Sequence, residues 1–462
     1  MPPSSTLSPS PPSRPMRAPV RLLGWEIAPE ALVTILASIA IAMGVLWRGA
    51  DPGHPNSFTF DEYHFVENAR NYLKGQADWN DHPPLGKLLM LPGIVLFGDN
   101  GWGWRFHAAL LGCLHIALMG FVAAGLFCSR RAGWLTAAFV AIDGLFVSYS
   151  RTALLDIPMN TFMMASLALM LHARSLWWFA GAAVALGLGV AVKWIAVCLA
   201  LVVPLLLRRK GRSIFHALWM GVIAVVIYGA VVAWALAMTR QPITLPGMVK
   251  TSLDLLAHHA GFTEWRNPAD SRWYTWPFLW KPILLFRQAL SGDRYAVTST
   301  VGNPVLWYLT TAAFVATLVE VTRHWGARLA GRGMAGSAAP AVPTADAAAP
   351  AASAVTGFAA RWERLMPPLS QRALALVTSI ALLLQWILTK RESYIWHYMG
   401  TYGLGLALLA GMATRWSERE SRTAGAIFLV LLAVSAFYAP VWMNVPLSAT
   451  GLQLRLLFPL WR

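Results

Sequence analysis

Eleven apolar runs divide this chain, at about residues 31–46, 104–126, 133–149, 157–172, 176–191, 194–207, 214–238, 304–322, 373–389, 396–412 and 423–441. Lipid offers the backbone no hydrogen bonds, so a segment that enters it must satisfy its own polar groups as a helix. Crossing a ~30 Å hydrocarbon core at ~1.5 Å per residue takes about 20 residues. The pattern predicts an all-α polytopic membrane protein with about eleven transmembrane helices. Composition excludes the soluble alternative: 57% of the 462 residues are hydrophobic and 13% charged, whereas soluble domains carry about 25% charged residues.

The excess of 37 Lys and Arg over 21 Asp and Glu would point to nucleic acid in a soluble protein. Here topology explains it, because short cytoplasmic loops collect Lys and Arg, and no nucleic-acid partner is called for. Residues 1–28, with Arg14, Arg17 and Arg21, read as a cytoplasmic segment before an uncleaved signal anchor. Basic residues also flank 176–207, at Arg174 and at Arg208 to Arg212. Both ends of that stretch therefore lie inside, and the chain must turn back at Lys193-Trp194. Residues 29–322 then form a transmembrane core with external loops 48–103 and 239–303. Residues 323–372 form a cytoplasmic linker, Ala- and Pro-rich over 327–356, and 373–462 a C-terminal transmembrane part. Cys113, Cys128 and Cys198 lie in or beside apolar runs and suggest no disulfide framework. No metal-ligand set and no cofactor motif is evident.

The chemistry-bearing residues gather in the external segments. In the first loop Phe65, Val66, Ala69, Tyr72 and Leu73 recur at helical spacing before Gly75, which predicts an amphipathic helix at the membrane surface. Thr59-x-x-Glu62 has the form of a capping box, so Asp61 and Glu62 have a structural account as carboxylates at a helix start. Asp81-His82-Pro83-Pro84-Leu85-Gly86-Lys87 follows, a rigid turn that aims His82 and Lys87 at one place. The short turn Ser150 to Ile157 carries Arg151 and Asp156, which a salt bridge between them would explain. Arg105, Asp143 and Lys193 sit at the outer edges of spans. One reaction employs all these groups: a carboxylate takes the proton of a hydroxyl while Arg, Lys and His stabilise a departing phosphate. That is glycosyl transfer from a lipid phosphate.

At these residues the sequence resembles the protein O-mannosyltransferase family, integral-membrane glycosyltransferases of the GT-C class, in its compact bacterial form. The resemblance rests on Phe60-Asp61-Glu62, His82-Pro83-Pro84-Leu85-Gly86-Lys87, Asn100-Gly101-Trp102 through Arg105, Asp143-Gly144-Leu145, Ser150 through Asp156, and Lys193-Trp194. Gly302-Asn303-Pro304 and Pro446-Leu447-Ser448 are fainter echoes. It implies an eleven-span fold with the N-terminus inside. It also implies transfer of mannose from a polyprenyl-phosphate carrier to Ser or Thr hydroxyls of exported proteins, with inversion, on the outer face of the membrane. Asp61 would be the catalytic base and Glu62 would share its role or orient the acceptor. His82, Lys87, Arg105 and Arg151 would bind the donor's phosphate, and Asp156 would hold Arg151 or a sugar hydroxyl. The 239–303 loop is too short for the extra domain of larger members. Two rivals stand beside this reading: transfer of another sugar to a lipid or envelope glycan, and a multi-pass transporter. A transporter places ionisable groups near the bilayer midplane, and here they cluster at span ends.

Overall fold

All eleven apolar runs fold as helix, and the places where they break are set by polar side chains. The computed structural model describes residues 20–22, 25–27, 29–77, 81–261, 267–332, 370–389 and 391–461. Residues 1–19 of the expected N-terminal segment and residues 333–369 of the expected linker lie outside the described residues. A short antiparallel pair, β1 (Val20–Leu22) and β2 (Trp25–Ile27), precedes α1 (Pro29–Gly49). In the first loop come α2 (Glu62–Lys74), α3 (Leu85–Leu88) and α4 (Leu91–Phe97). The bundle continues with α5 (Gly101–Phe127), α6 (Arg130–Ala141), α7 (Gly144–Tyr149), α8 (Asp156–His172) and α9 (Leu176–Val192).

A 3-10 helix, Trp194–Val202, leads into α10 (Val203–Arg209), followed by α11 (His216–Met238) and α12 (Leu245–Gly261). After a small hairpin come α13 (Pro304–Arg332), α14 (Gln371–Leu388), α15 (Met399–Arg419) and α16 (Ser421–Trp442). Six of these helices, α1, α5, α11, α13, α14 and α16, contain a span long and apolar enough to cross a membrane.

Where a run is interrupted, a charged residue sits at the break. Asp143 adopts an extended conformation and its carboxylate takes the Leu145 N–H at 3.0 Å, which ends α6 and caps α7. Lys193 is extended at φ −148°, ψ 134° between α9 and the 3-10 helix, and there the chain reverses as its flanking charges predict. The reversal brings Arg209 back to the end of α5, where it donates to the Leu126 carbonyl at 3.4 Å.

Close crossings use small residues, as helices without a hydrophobic driving force between them require. A Cβ at Gly133 would lie 2.6 Å from the Gly120 carbonyl, so α5 and α6 touch backbone to backbone. Helix α15 packs against α5, α6, α13 and α14, so the residues from 370 onward complete the same bundle. Outward faces are apolar: Val222, Val225 and Val226 of α11 are all more than half exposed, the inverse of a soluble helix.

Sequence periodicity predicts no strand, yet the structure contains a three-stranded antiparallel sheet. It consists of β3 (Leu284–Leu290), β4 (Arg294–Ser299) and β5 (Leu447–Ser448). Gly292 at φ +70° and Asp293 at φ +51° make the turn, a hairpin signal legible in Ser291-Gly292-Asp293. Tyr295 pairs with Leu447 and Arg294 with Ser448, which explains why Pro446-Leu447-Ser448 stands in the pattern: it ties the C-terminal tail to the loop before α13.

Candidate active site

Asp61, Glu62, His82, Lys87, Arg105, Arg151, Asp156 and Lys193 all lie at one end of the bundle, and the structure divides them into scaffold and lining. Glu62 opens α2 and is completely buried. Its Oε1 accepts from Arg105 Nε at 2.7 Å and the Ala153 N–H at 2.6 Å, and its Oε2 accepts from Arg105 Nη2 at 2.7 Å and the Thr59 N–H at 2.8 Å. One half of the capping box is thereby realised. Arg105 also donates to the carbonyls of Pro52, Pro55 and Ser57 at 3.3, 2.7 and 2.8 Å. A guanidinium has five N–H groups, and all of them are engaged by these contacts, so none is left for a phosphate in this conformation.

Arg151 also turns to the backbone, through three hydrogen bonds. It donates to the carbonyls of Trp47, Ala50 and Asp51 at 2.8, 2.5 and 3.0 Å, closing the C-terminal end of α1, where a cation complements the helix dipole. Its expected partner Asp156 pairs with Lys193 instead, both carboxylate oxygens lying 3.0 Å from Nζ. That difference arises because α9 runs back along α8, which sets Lys193 at its end beside the start of α8. Lys87 is completely buried and donates to the carbonyls of His82 and Pro83, which fixes the proline turn.

Asp143 belongs to the scaffold too. It accepts from the Asn303 N–H and the Tyr402 hydroxyl, each at 3.0 Å, and Asn303 donates to Ser435 Oγ at 2.8 Å. Gly144 beside it has no room for a side chain, since a Cβ would lie 2.1 Å from Trp442 Nε1. Two of the sequence's motifs, Asp143-Gly144-Leu145 and Gly302-Asn303-Pro304, are thus halves of one junction.

Asp61 is different. It precedes α2 but makes no side-chain cap hydrogen bond, and it is open to solvent. Surrounding protein desolvates the carboxyl and pushes its pKa up to about 6, against the pull of Lys193 and His64 and with a further rise from Asp81 and Asp156. Phe60 immediately before it sits at φ +48°, a left-handed conformation that is an outlier for a bulky residue and that functional sites retain. Its ring packs edge-on against Trp396 at 5.4 Å. Trp396 in turn stacks on Tyr394 at 4.3 Å and lies 6.2 Å from the ring of Tyr149. The Tyr149 hydroxyl is buried without a hydrogen-bond partner among the described residues, and both Asp61 and Asp156 act on it electrostatically.

The second wall comes from residues that motif reading missed. Arg391 donates toward His259 Nδ1 at 3.2 Å, and His259 stacks on His82 with centroids 5.4 Å apart. Burial, then Lys193, Lys87, His259 and Arg391, hold His82 well below the usual imidazole range, so it is neutral at pH 7. The loop bearing Arg391 is anchored by Ser393, whose N–H donates to Asp270 at 2.7 Å. A signal for it existed: Arg391-Glu392-Ser393-Tyr394-Ile395-Trp396-His397 packs charge and aromatics into a short link between two apolar runs. Among the described residues, no three His, Cys, Asp or Glu side chains come together as a metal-ligand group.

This arrangement occurs on a known fold. The structure of the Saccharomyces cerevisiae protein O-mannosyltransferase Pmt1-Pmt2 complex bound to the sugar donor superposes with TM-score 0.71 at 14% identity, covering 94% of this chain and 92% of that one. An oligosaccharyltransferase of Archaeoglobus fulgidus shares the fold more distantly, with TM-score 0.50 at 12% identity over 89% of this chain and 55% of that one. In sequence, the polyprenol-phosphate-mannose–protein mannosyltransferase of Mycobacterium tuberculosis is 26% identical over 66% of this chain and 73% of its own length. A family model described as dolichyl-phosphate-mannose-protein mannosyltransferase matches residues 38–251, the segment that carries Asp61, Glu62, His82, Arg105, Arg151, Asp156 and Lys193. In fold and over this segment of sequence the chain is similar to protein O-mannosyltransferases.

Proposed function

We propose that this protein transfers mannose from a polyprenyl-phosphate carrier to Ser or Thr hydroxyls of exported proteins, with Asp61 as the base. The hydroxyl oxygen attacks the anomeric carbon as the bond from that carbon to the phosphate oxygen breaks. The hydroxyl proton passes to Asp61, and polyprenyl phosphate leaves from the opposite face, which inverts the anomeric centre. The observation that carries this reading is Asp61 itself: solvent-open, free of any capping hydrogen bond, and raised toward neutrality by its surroundings, as a general base working near pH 7 should be.

Lys193 and Arg391 supply the positive charge at the phosphate, and neutral His82 contributes a hydrogen bond. The Tyr149 hydroxyl is available to a sugar hydroxyl. Glu62, Arg105, Arg151 and Lys87 act as positioning residues that hold the loop bearing Asp61 and the turn bearing His82. The donor and acceptor classes follow those in the names of the matched relatives.

Eleven membrane crossings suit the helix lengths. At ~1.5 Å per residue, or ~2 Å in 3-10 helix, the 17 residues of α9 and the 16 residues of the segment after Lys193 each reach about 25–30 Å. Basic residues at the end away from Asp61, among them Arg130, Arg131, Arg208 and Arg209, support a cytoplasmic position for that end and an external one for the site. Purified protein given polyprenyl-phosphate-mannose and a Ser/Thr-rich peptide should mannosylate the peptide. Asp61→Asn should lower turnover by about 10²–10⁴ while the fold persists. Near-normal turnover in that variant would sink the assignment, and transfer to lipid alone would reject the acceptor.

A further inference from the structure

We infer that the end of the bundle opposite Asp61 holds a binding site for the phosphate of an anionic phospholipid, between α1 and α6. A cavity of about 420 Å³ opens there, lined by Val33, Thr34, Arg130, Arg131, Trp134 and Leu135. Arg131 is half-buried, and its Nε and Nη2 are shielded from solvent with no hydrogen-bond partner among the described residues. Buried donors are almost always paired, and a guanidinium that lines a cavity while two of its N–H groups lack an acceptor can take two phosphate oxygens by turning toward it. Arg130 beside it adds a second positive charge. Both sit in the first turn of α6, where the backbone amides and helix dipole favour an anion.

The apolar side of the cavity selects a lipid over a soluble phosphate. Trp134 is nearly half exposed, and its Nε1 donates to Ser38 Oγ at 3.3 Å, which ties the indole to α1. Beyond it Ile35 and Ile39 of α1 are also exposed, so an acyl chain leaving a phosphate at Arg131 runs along an apolar strip. Val33 and Leu135 close the inner wall. A basic pocket between helices at the cytoplasmic surface is the form that anionic head-group recognition takes. This site shares no residue with the transferase site, so the two readings stand or fall separately.

Native mass spectrometry of the full-length protein in detergent, with equal phosphatidylglycerol and phosphatidylcholine added, tests it. The wild type should retain phosphatidylglycerol preferentially, and Arg131→Gln should reduce that retention at least fivefold. Arg212→Gln, which removes an exposed charge elsewhere, should change it less than twofold. Equal loss in both variants, or none in Arg131→Gln, would overturn the site. Displacement of the lipid by millimolar inorganic phosphate would reassign it to a soluble phosphate and overturn the lipid. Should Arg131→Gln fail to fold, the wild type still decides, because retention of both lipids alike refutes the inference.

Discussion

Replacing Arg105 by Ala separates a scaffold role from a substrate role. The substitution removes five hydrogen bonds at once, three to the carbonyls of Pro52, Pro55 and Ser57 and two to Glu62. Glu62 is left completely buried with two backbone amides as its only donors. Removing one partner of a buried pair costs about 3–5 kcal/mol, because the other charge stays desolvated. Against a total stability on the order of 5–15 kcal/mol, that is enough to lower the yield of folded protein visibly. Deleting both charges in Glu62→Gln/Arg105→Ala should recover part of the loss, with a coupling of about 1–3 kcal/mol in a double-mutant cycle completed by Glu62→Gln alone. The assay is a denaturant midpoint in mixed micelles for the four proteins, paired with a titration of the lipid donor in the transfer reaction. If Arg105→Ala kept wild-type stability within about 0.5 kcal/mol and raised only the KM for the donor, the guanidinium would be serving the phosphate and the scaffold argument would be refuted.

Transfer should fall as pH drops through about 6, because Asp61 must be ionised to accept the proton and its carboxyl is raised to about 6; at pH 5 only about a tenth remains ionised, and an acid limb near 4 in kcat/KM would contradict the desolvated setting. Lys193→Ala removes the charge that most favours the ionised form of Asp61, so the acid limb should move upward, and Asp156 should lose its ion-pair partner; an unmoved limb would show that the two groups are not coupled. Gly144→Ala should abolish the folded protein, as its Cβ would lie 2.1 Å from Trp442 Nε1 and 2.3 Å from the Val301 carbonyl; expression with a normal size-exclusion profile would count against that packing.

The residues that the linear pattern singled out are nearly all at the site end of the bundle, but their roles divide in a way the pattern could not express. Asp61 and Glu62 are neighbours of the same chemical type. Only packing distinguishes them: Glu62 points into four hydrogen bonds, whereas Asp61 keeps solvent exposure and its carboxylate accepts none among the described residues. Arg105 and Arg151 look like phosphate ligands in a list of cations, yet Arg105 is engaged by Glu62 and three loop carbonyls and Arg151 donates to three carbonyls at the end of α1. A cation near a span end must find acceptors somewhere, and sequence does not say whether a substrate or the backbone provides them.

What the chain alone determined was its helical class, the location of its helices, the reversal at Lys193 and the end at which charge collects. Those follow from local physics: the length and polarity of each run, and the cost of placing ionisable groups in lipid. Tertiary structure alone decided which carboxylate stays unpartnered among the described residues, that Asp156 meets Lys193, and that Arg391 and Trp396 arrive from more than 300 residues beyond Asp61 to complete the site. Such pairings depend on how helices cross and where loops fold over them, and no spacing along the chain encodes a contact between segments that distant.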